Sequence, residues 1–242
     1  MNLTAKTVLP IFFTVLYAAC LLLLTMWSKK LGLVVSGNKF ITDQFNYQIL
    51  LLLIAAISLF TTYSLNKINF TTYFSFGQMS AVGEELKLFG INEGDSWRKT
   101  GLSLCLVISL VTATFLYFQL KQINPDWAKL QSAVVWIILF SLTNSFAEEM
   151  IFRLGIVSPL SGQVAPTTIF LISALLFGIP HFAGMPNGIV GVVMAGILGF
   201  VLAKSMYETH GFFWAWTIHF LQDVLIFSTI FLMSESSQPI IE

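Results

Sequence analysis

Ser141-Leu142-Thr143-Asn144-Ser145-Phe146-Ala147-Glu148-Glu149-Met150-Ile151-Phe152-Arg153 decides how this chain is read. It closes an apolar segment that starts at Ser132 and has the length of a membrane span. Two adjacent carboxylates and an arginine at its end are groups that hydrocarbon tolerates only when they are paired or face a polar cavity. Other parts of the chain must supply that pairing.

The whole composition agrees with a membrane setting. Of 242 residues, 56% are hydrophobic and 10% charged, against about 25% charged in an ordinary soluble domain. Twelve basic and twelve acidic residues cancel, so no basic field invites nucleic acid. Cys20 and Cys105 lie within apolar runs and read as packing residues, and no metal-type cysteine spacing exists. The expected fold is an all-α polytopic membrane protein, a bundle of about seven transmembrane helices around a membrane-embedded cavity. We expect one membrane domain over residues 1–242 with a catalytic core at 132–233.

The expected spans are Val8–Trp27, Tyr47–Leu65, Thr100–Leu120, the run from Ser132 into the opening stretch, Thr167–Phe182, Ile189–Lys204 and Phe212–Met233. Lys6 before the first run has the outline of a secretion signal. The run's length, the missing small-residue cleavage site and the Trp27-Ser28-Lys29-Lys30 anchor point instead to a retained helix. Between the second and third spans, residues 66–99 are too polar to cross. They are expected on the membrane surface, with Leu86, Leu88, Phe89 and Ile91 dipping into the interface and Glu84-Glu85 solvated. Asn124-Pro125-Asp126 breaks the chain before the fourth span. Gly155, Pro159, Gly162 and Pro166 are expected to form the turn after it, and Gly184-Met185-Pro186-Asn187-Gly188 the next turn. Gly191, Ala195, Gly199 and Ala203 recur every four residues and make one face of the sixth span small enough for close helix contact. Basic residues fall in successive connections, so orientation receives no vote. A short polar tail ends the chain.

Six ionisable residues remain within or at the edge of apolar helices: Glu148, Glu149, Arg153, His181, His219 and Asp223. Each charge at mid-membrane costs about 2.5–3.5 kcal/mol on insertion scales, so the six are expected to meet in one cavity. Glu149 and Arg153 stand four apart and share a helix face, which assigns them to an ion pair. Glu148 is rotated by about 100° from Glu149 and faces elsewhere. Phe177 with His181, and His219 with Asp223, are also four apart.

Two hydrolytic chemistries fit this set. In one, Glu148 is the general base for a water held by His181, while His219 and Asp223 stabilise the oxyanion of a tetrahedral intermediate. In the other, Glu148, His181 and His219 bind zinc, which lowers the pKa of a bound water. No His-Glu-x-x-His is present, and no Ser or Cys has a histidine partner at fixed spacing. The non-enzymatic alternatives are an immunity or scaffold protein binding a peptide or partner in the same cavity, and a proton-linked transporter. Against the transporter, no inverted repeat or paired broken helices are evident.

Glu148-Glu149-x-x-x-Arg153 with Phe152, then Phe177-x-x-x-His181, then His219-x-x-x-Asp223, resembles the three motifs of the CPBP intramembrane proteases. That family includes CAAX prenyl endopeptidases and proteins linked to bacteriocin processing or self-immunity. The ordered triple spans Val134 to Phe231. The resemblance implies a helical bundle with a cavity open to the membrane. It gives Glu148 and His181 to water activation, His219 and residue 223 to the oxyanion site, and Glu149 and Arg153 to support of the first motif. It also implies catalysis with no metal cofactor, although the group was first described as metalloproteases. Position 223 is often Asn in the CAAX endopeptidases and is Asp here. An ionised Asp223 would repel an oxyanion, so it is expected to orient His219 or to carry a proton. The expected partners are a peptide or membrane-protein substrate and the lipid bilayer, in a prokaryotic cell membrane.

Overall fold

The computed structural model describes residues 4–185 and 187–236. Pro186 of the expected turn and residues 237–242 of the polar tail lie outside the described residues. Helices dominate: α1 (Ala5–Leu31), α2 (Lys39–Leu65), a short α3 (Lys67–Tyr73), α4 (Trp97–Leu120), α5 (Leu130–Glu148), α6 (Gly155–Leu160), α7 (Pro166–Gly178), α8 (Gly188–Thr209) and α9 (Phe213–Ser236). A π-helical segment, Glu149–Leu154, joins α5 to α6, and a 3-10 turn, Ile179–Ala183, extends α7. Among the described residues, seven helical stretches are long and apolar enough to cross a membrane, matching the expected seven. The chain is therefore an integral, multi-pass membrane protein.

Local chemistry sets the helix starts. Asn38 Oδ1 accepts from the Ile41 N–H and Ser96 Oγ from the Lys99 N–H, so each satisfies an otherwise orphaned donor of a first turn. Pro166 opens α7 at a position where its missing N–H costs nothing. Gly32 ends α1 in the left-handed conformation, at φ 65°.

α9 packs against both α4 and α5, α8 pairs with α7, and α1 pairs with α2, which also meets α5. Gly199 sits against Ala174 and Phe177, so the small face of α8 is the surface that lets α7 approach. Gly101 does the same on α4, where any Cβ would collide with the Trp214 indole. Large apolar side chains such as Phe12, Phe60, Leu106 and Val135 remain exposed on the outer faces, where a bilayer covers them.

Besides the second span, which starts at Lys39 rather than Tyr47 because Asn38 caps its first turn, three expectations need correction. The fourth span does not turn at Gly155 and Pro159: it runs from Trp127 to Leu160 with both residues inside it. Every residue from Met150 to Leu160 is buried, and that packing overrides the breaker signal. Second, the 66–99 connection does more than rest on the bilayer. Gln78 N–H donates to Thr209 O, Phe212 N–H to Ser75 O, and the Trp214 indole to Met79 O, so the connection caps the α8–α9 turn. Ile91 is fully buried in the protein core rather than in the interface, while Leu88 is exposed and Glu84-Glu85 are solvated as expected. Third, α8 continues past Lys204 to Thr209, which brings a buried Lys204–Glu208 ion pair into the span.

Candidate active site

The opening stretch is where the helix changes type. Gly155 N–H reaches back five residues to Met150 O, the signature of a π turn, so one extra residue is inserted per turn between Glu149 and Leu154. Such insertions recur at functional sites because they re-aim neighbouring side chains. Here Glu149 and Arg153 point into the protein and are sealed from solvent, whereas Glu148 lines a cavity.

That cavity has a volume of about 900 Å³. Glu148, His181, His219 and Asp223 all line it, and so do Tyr47 and Asn144. It extends to Lys29 near the end of α1, Lys39 at the start of α2 and Ser234 near the end of α9, so it runs from the helix interior toward one end of the bundle. Its apolar wall includes Ile108, Phe115, Leu198 and Phe227.

Glu149 and Arg153 form the expected pair, with Oε1 and Nη2 3.2 Å apart. The same Oε1 also accepts from His219 Nδ1 at 2.7 Å. Glu149 therefore does more than neutralise Arg153, because it fixes the histidine's tautomer and ring plane. The expectation that Asp223 orients His219 meets a different geometry. Asp223 Oδ1 is 3.6 Å from His219 Nε2, too long for a hydrogen bond, and Glu148 Oε2 is also 3.6 Å from that nitrogen. The Nε2 edge of His219 thus faces two carboxylates, each just beyond hydrogen-bond distance.

His181 lies in the 3-10 turn, and its Nδ1–H donates to Phe177 O at 2.8 Å. Nε2 is left as the ring nitrogen available to the cavity. Phe177 is the packing hub of the site. The Arg153 guanidinium lies 3.8 Å from its ring centre, the His181 ring 4.5 Å and the His219 ring 5.5 Å. The aromatic face offsets part of the cost of a fully buried guanidinium.

Two residues that motif spacing did not single out complete the arrangement. Asn144 Nδ2 donates to Glu148 Oε1 at 3.2 Å and to Asp223 Oδ2 at 3.1 Å, bridging the two carboxylates. Its orientation is imposed from α2. Thr143 Oγ1 donates to Gln48 Oε1 at 2.8 Å, which turns Gln48 Nε2 toward Asn144 Oδ1 at 3.4 Å. Asn144 stands four residues before Glu148 and so on the same helix face, a signal the sequence did carry.

Glu148, His181 and His219, the alternative zinc set, all line this cavity. Among the described residues, no group of three or more His, Cys, Asp or Glu side chains is placed to hold a metal ion. What the geometry offers is a buried histidine pinned on one side, three carboxylates against one guanidinium, and a second histidine with one free nitrogen.

Neither a curated protein nor a solved structure matches the chain. Residues 130–225 match the family model described as Type II CAAX prenyl endopeptidase Rce1-like, a stretch that contains all three motifs. The matched stretch, which supplies Glu148, His181, His219 and Asp223 to the cavity, is thus similar to the Rce1-like family, in keeping with the CPBP intramembrane proteases that its motifs resemble.

Proposed function

We propose that this protein is an intramembrane endopeptidase of the glutamate type, cleaving a peptide bond in a peptide or membrane protein that enters the cavity from the bilayer. The observation that carries this reading is the convergence of Glu148, His181, His219 and Asp223 on one cavity within the helices. Residues 132–233 form its catalytic core within a single membrane domain, and the cell is prokaryotic.

Glu148 takes a proton from a water held between its carboxylate and His181 Nε2. The water oxygen attacks the peptide carbonyl carbon and gives a tetrahedral intermediate. His219, doubly protonated with Nδ1–H held by Glu149, donates from Nε2–H to the developing oxyanion. Glu148 then passes its proton to the departing amide nitrogen, so that the C–N bond breaks to an amine and a carboxylic acid, which gives up its remaining proton as it leaves. Asn144 keeps Glu148 and Asp223 at fixed separation throughout. No metal takes part in these steps, and activity is expected to survive chelators.

Quantitative proteomics of membrane fractions, wild type against Glu148→Gln, tests the reading. Precursors that accumulate only in the variant support proteolysis and identify the substrate. An unchanged membrane proteome, with a cellular phenotype that Glu148→Gln leaves intact, would replace it with a non-catalytic immunity or scaffold role.

A further inference from the structure

A carbonyl that becomes an oxyanion needs neutral or cationic donors, and most polar groups around Glu148 and Asp223 are already committed. The two hydrogens of Asn144 Nδ2 go to the two carboxylates. Gln222 Nε2 donates to Ser109 Oγ at 3.0 Å and to Ile218 O at 3.3 Å. Arg153 is sealed behind Phe177, and its guanidinium has no access to the cavity. Asp223, when ionised, would oppose the oxyanion rather than hold it.

Tyr47 is different. It lines the same cavity, is half-buried, and lies near enough to Glu148 and Asp223 for both charges to act on it. Its hydroxyl makes no hydrogen bond to any described residue and is not sealed from the cavity. Its backbone is held from both sides. On one side, Asn46 Nδ2 donates to Leu33 O at 2.7 Å while Asn46 Oδ1 accepts from Leu33 N–H at 3.2 Å. On the other, Gln48 is tied to Asn144 and Thr143 of α5. The ring itself packs against the apolar cluster that contains Ala147 and Phe177. A phenol fixed at this depth, with a free O–H, is a preorganised neutral donor.

We propose that Tyr47 is a further catalytic residue, its hydroxyl donating a hydrogen bond to the oxyanion opposite His219 and supplying the neutral donor that Asp223 does not. The inference rests on the endopeptidase reading, so the experiment separates the two. Membrane proteomes of wild type, Glu148→Gln and Tyr47→Phe are compared, and one accumulating precursor is then used as substrate for the purified proteins in detergent. Removing one oxyanion donor lowers kcat by about 10²–10³-fold. Tyr47→Phe is therefore expected to accumulate the same precursors as Glu148→Gln and to lose kcat on that scale, with KM within about threefold and an unchanged unfolding midpoint. Fluorinated tyrosines at position 47, which keep the ring but change the hydroxyl's acidity, are expected to shift kcat, a response that a packing role would not give. Wild-type kcat in Tyr47→Phe, alongside a dead Glu148→Gln, overturns the role of Tyr47 and leaves the protease standing. No precursor in either variant overturns both.

Discussion

Oε1 of Glu149 accepts a hydrogen bond from His219 Nδ1 at 2.7 Å and also lies 3.2 Å from Arg153 Nη2. One buried oxygen thus joins the charge that makes the helix end tolerable to the histidine of the third motif. Removing one partner of a buried pair leaves an uncompensated charge and costs about 3–5 kcal/mol. Arg153→Met is expected to destabilise the protein on that scale, because Glu149 would be left ionised beside apolar side chains. The double variant Glu149→Gln/Arg153→Met should recover much of that loss, since an amide needs no counter-ion and can still accept from His219. Unfolding midpoints of the two singles and the double in one detergent check this, and additive losses would contradict it.

Glu148 sits differently, since its carboxylate lines the cavity and, among the described residues, makes only the hydrogen bond from Asn144. Gln at this position can still accept that bond but cannot take a proton. Glu148→Gln is expected to lower kcat by at least about 10³-fold, within the range for loss of a general base, with no change in unfolding midpoint. A variant that cleaves at the wild-type rate would remove Glu148 from the mechanism.

The amide chain from Thr143 through Gln48 to Asn144 predicts a graded series. Asn144→Ala loses both bridging donors and is expected to cost roughly 10²-fold in kcat, because misplacing a catalytic group by about 1 Å can cost that much. Gln48→Leu removes only the group that orients Asn144 and should cost less. Single-turnover rates of the two variants on one precursor rank them, and a larger loss in Gln48→Leu would show that the chain does not run in this order.

How much of this could be read from the residues follows from what each signal encodes. Seven spans were legible because a bilayer demands about 20 apolar residues per crossing, whatever packs beside them. The three motifs were legible because hydrocarbon makes unpaired charge costly, so the survivors stand out. The link from Glu149 to His219 was not legible, since it joins residues 70 positions apart on different helices. Nor was the π turn, which α-helical spacing cannot announce. Tyr47 and Gln48 were hidden for another reason: on an apolar span, a neutral polar residue is unremarkable until its partners are known. The buried Lys204 was read as a helix end because the apolar run thins there, although the helix continues to Thr209.

That misread helix end carries its own prediction. Lys204 Nζ pairs with Glu208 Oε1, and both side chains are buried away from the catalytic cavity. Glu208 Oε2 accepts from the Trp97 indole at 2.7 Å, and Oε1 also accepts from the Glu84 N–H at 3.3 Å. Glu208 therefore ties the end of α8 to the start of α4 and to the connection that caps the α8–α9 turn. Glu208→Leu leaves Lys204 charged and unpaired and releases both other donors, so a loss of about 3–5 kcal/mol is expected. Lys204→Met/Glu208→Leu should regain part of it, because no buried charge then remains. In both variants the folded fraction should keep the wild-type kcat on a cleaved precursor. A Glu208→Leu protein that is fully stable yet slow would move this cluster from anchoring the fold to serving the chemistry.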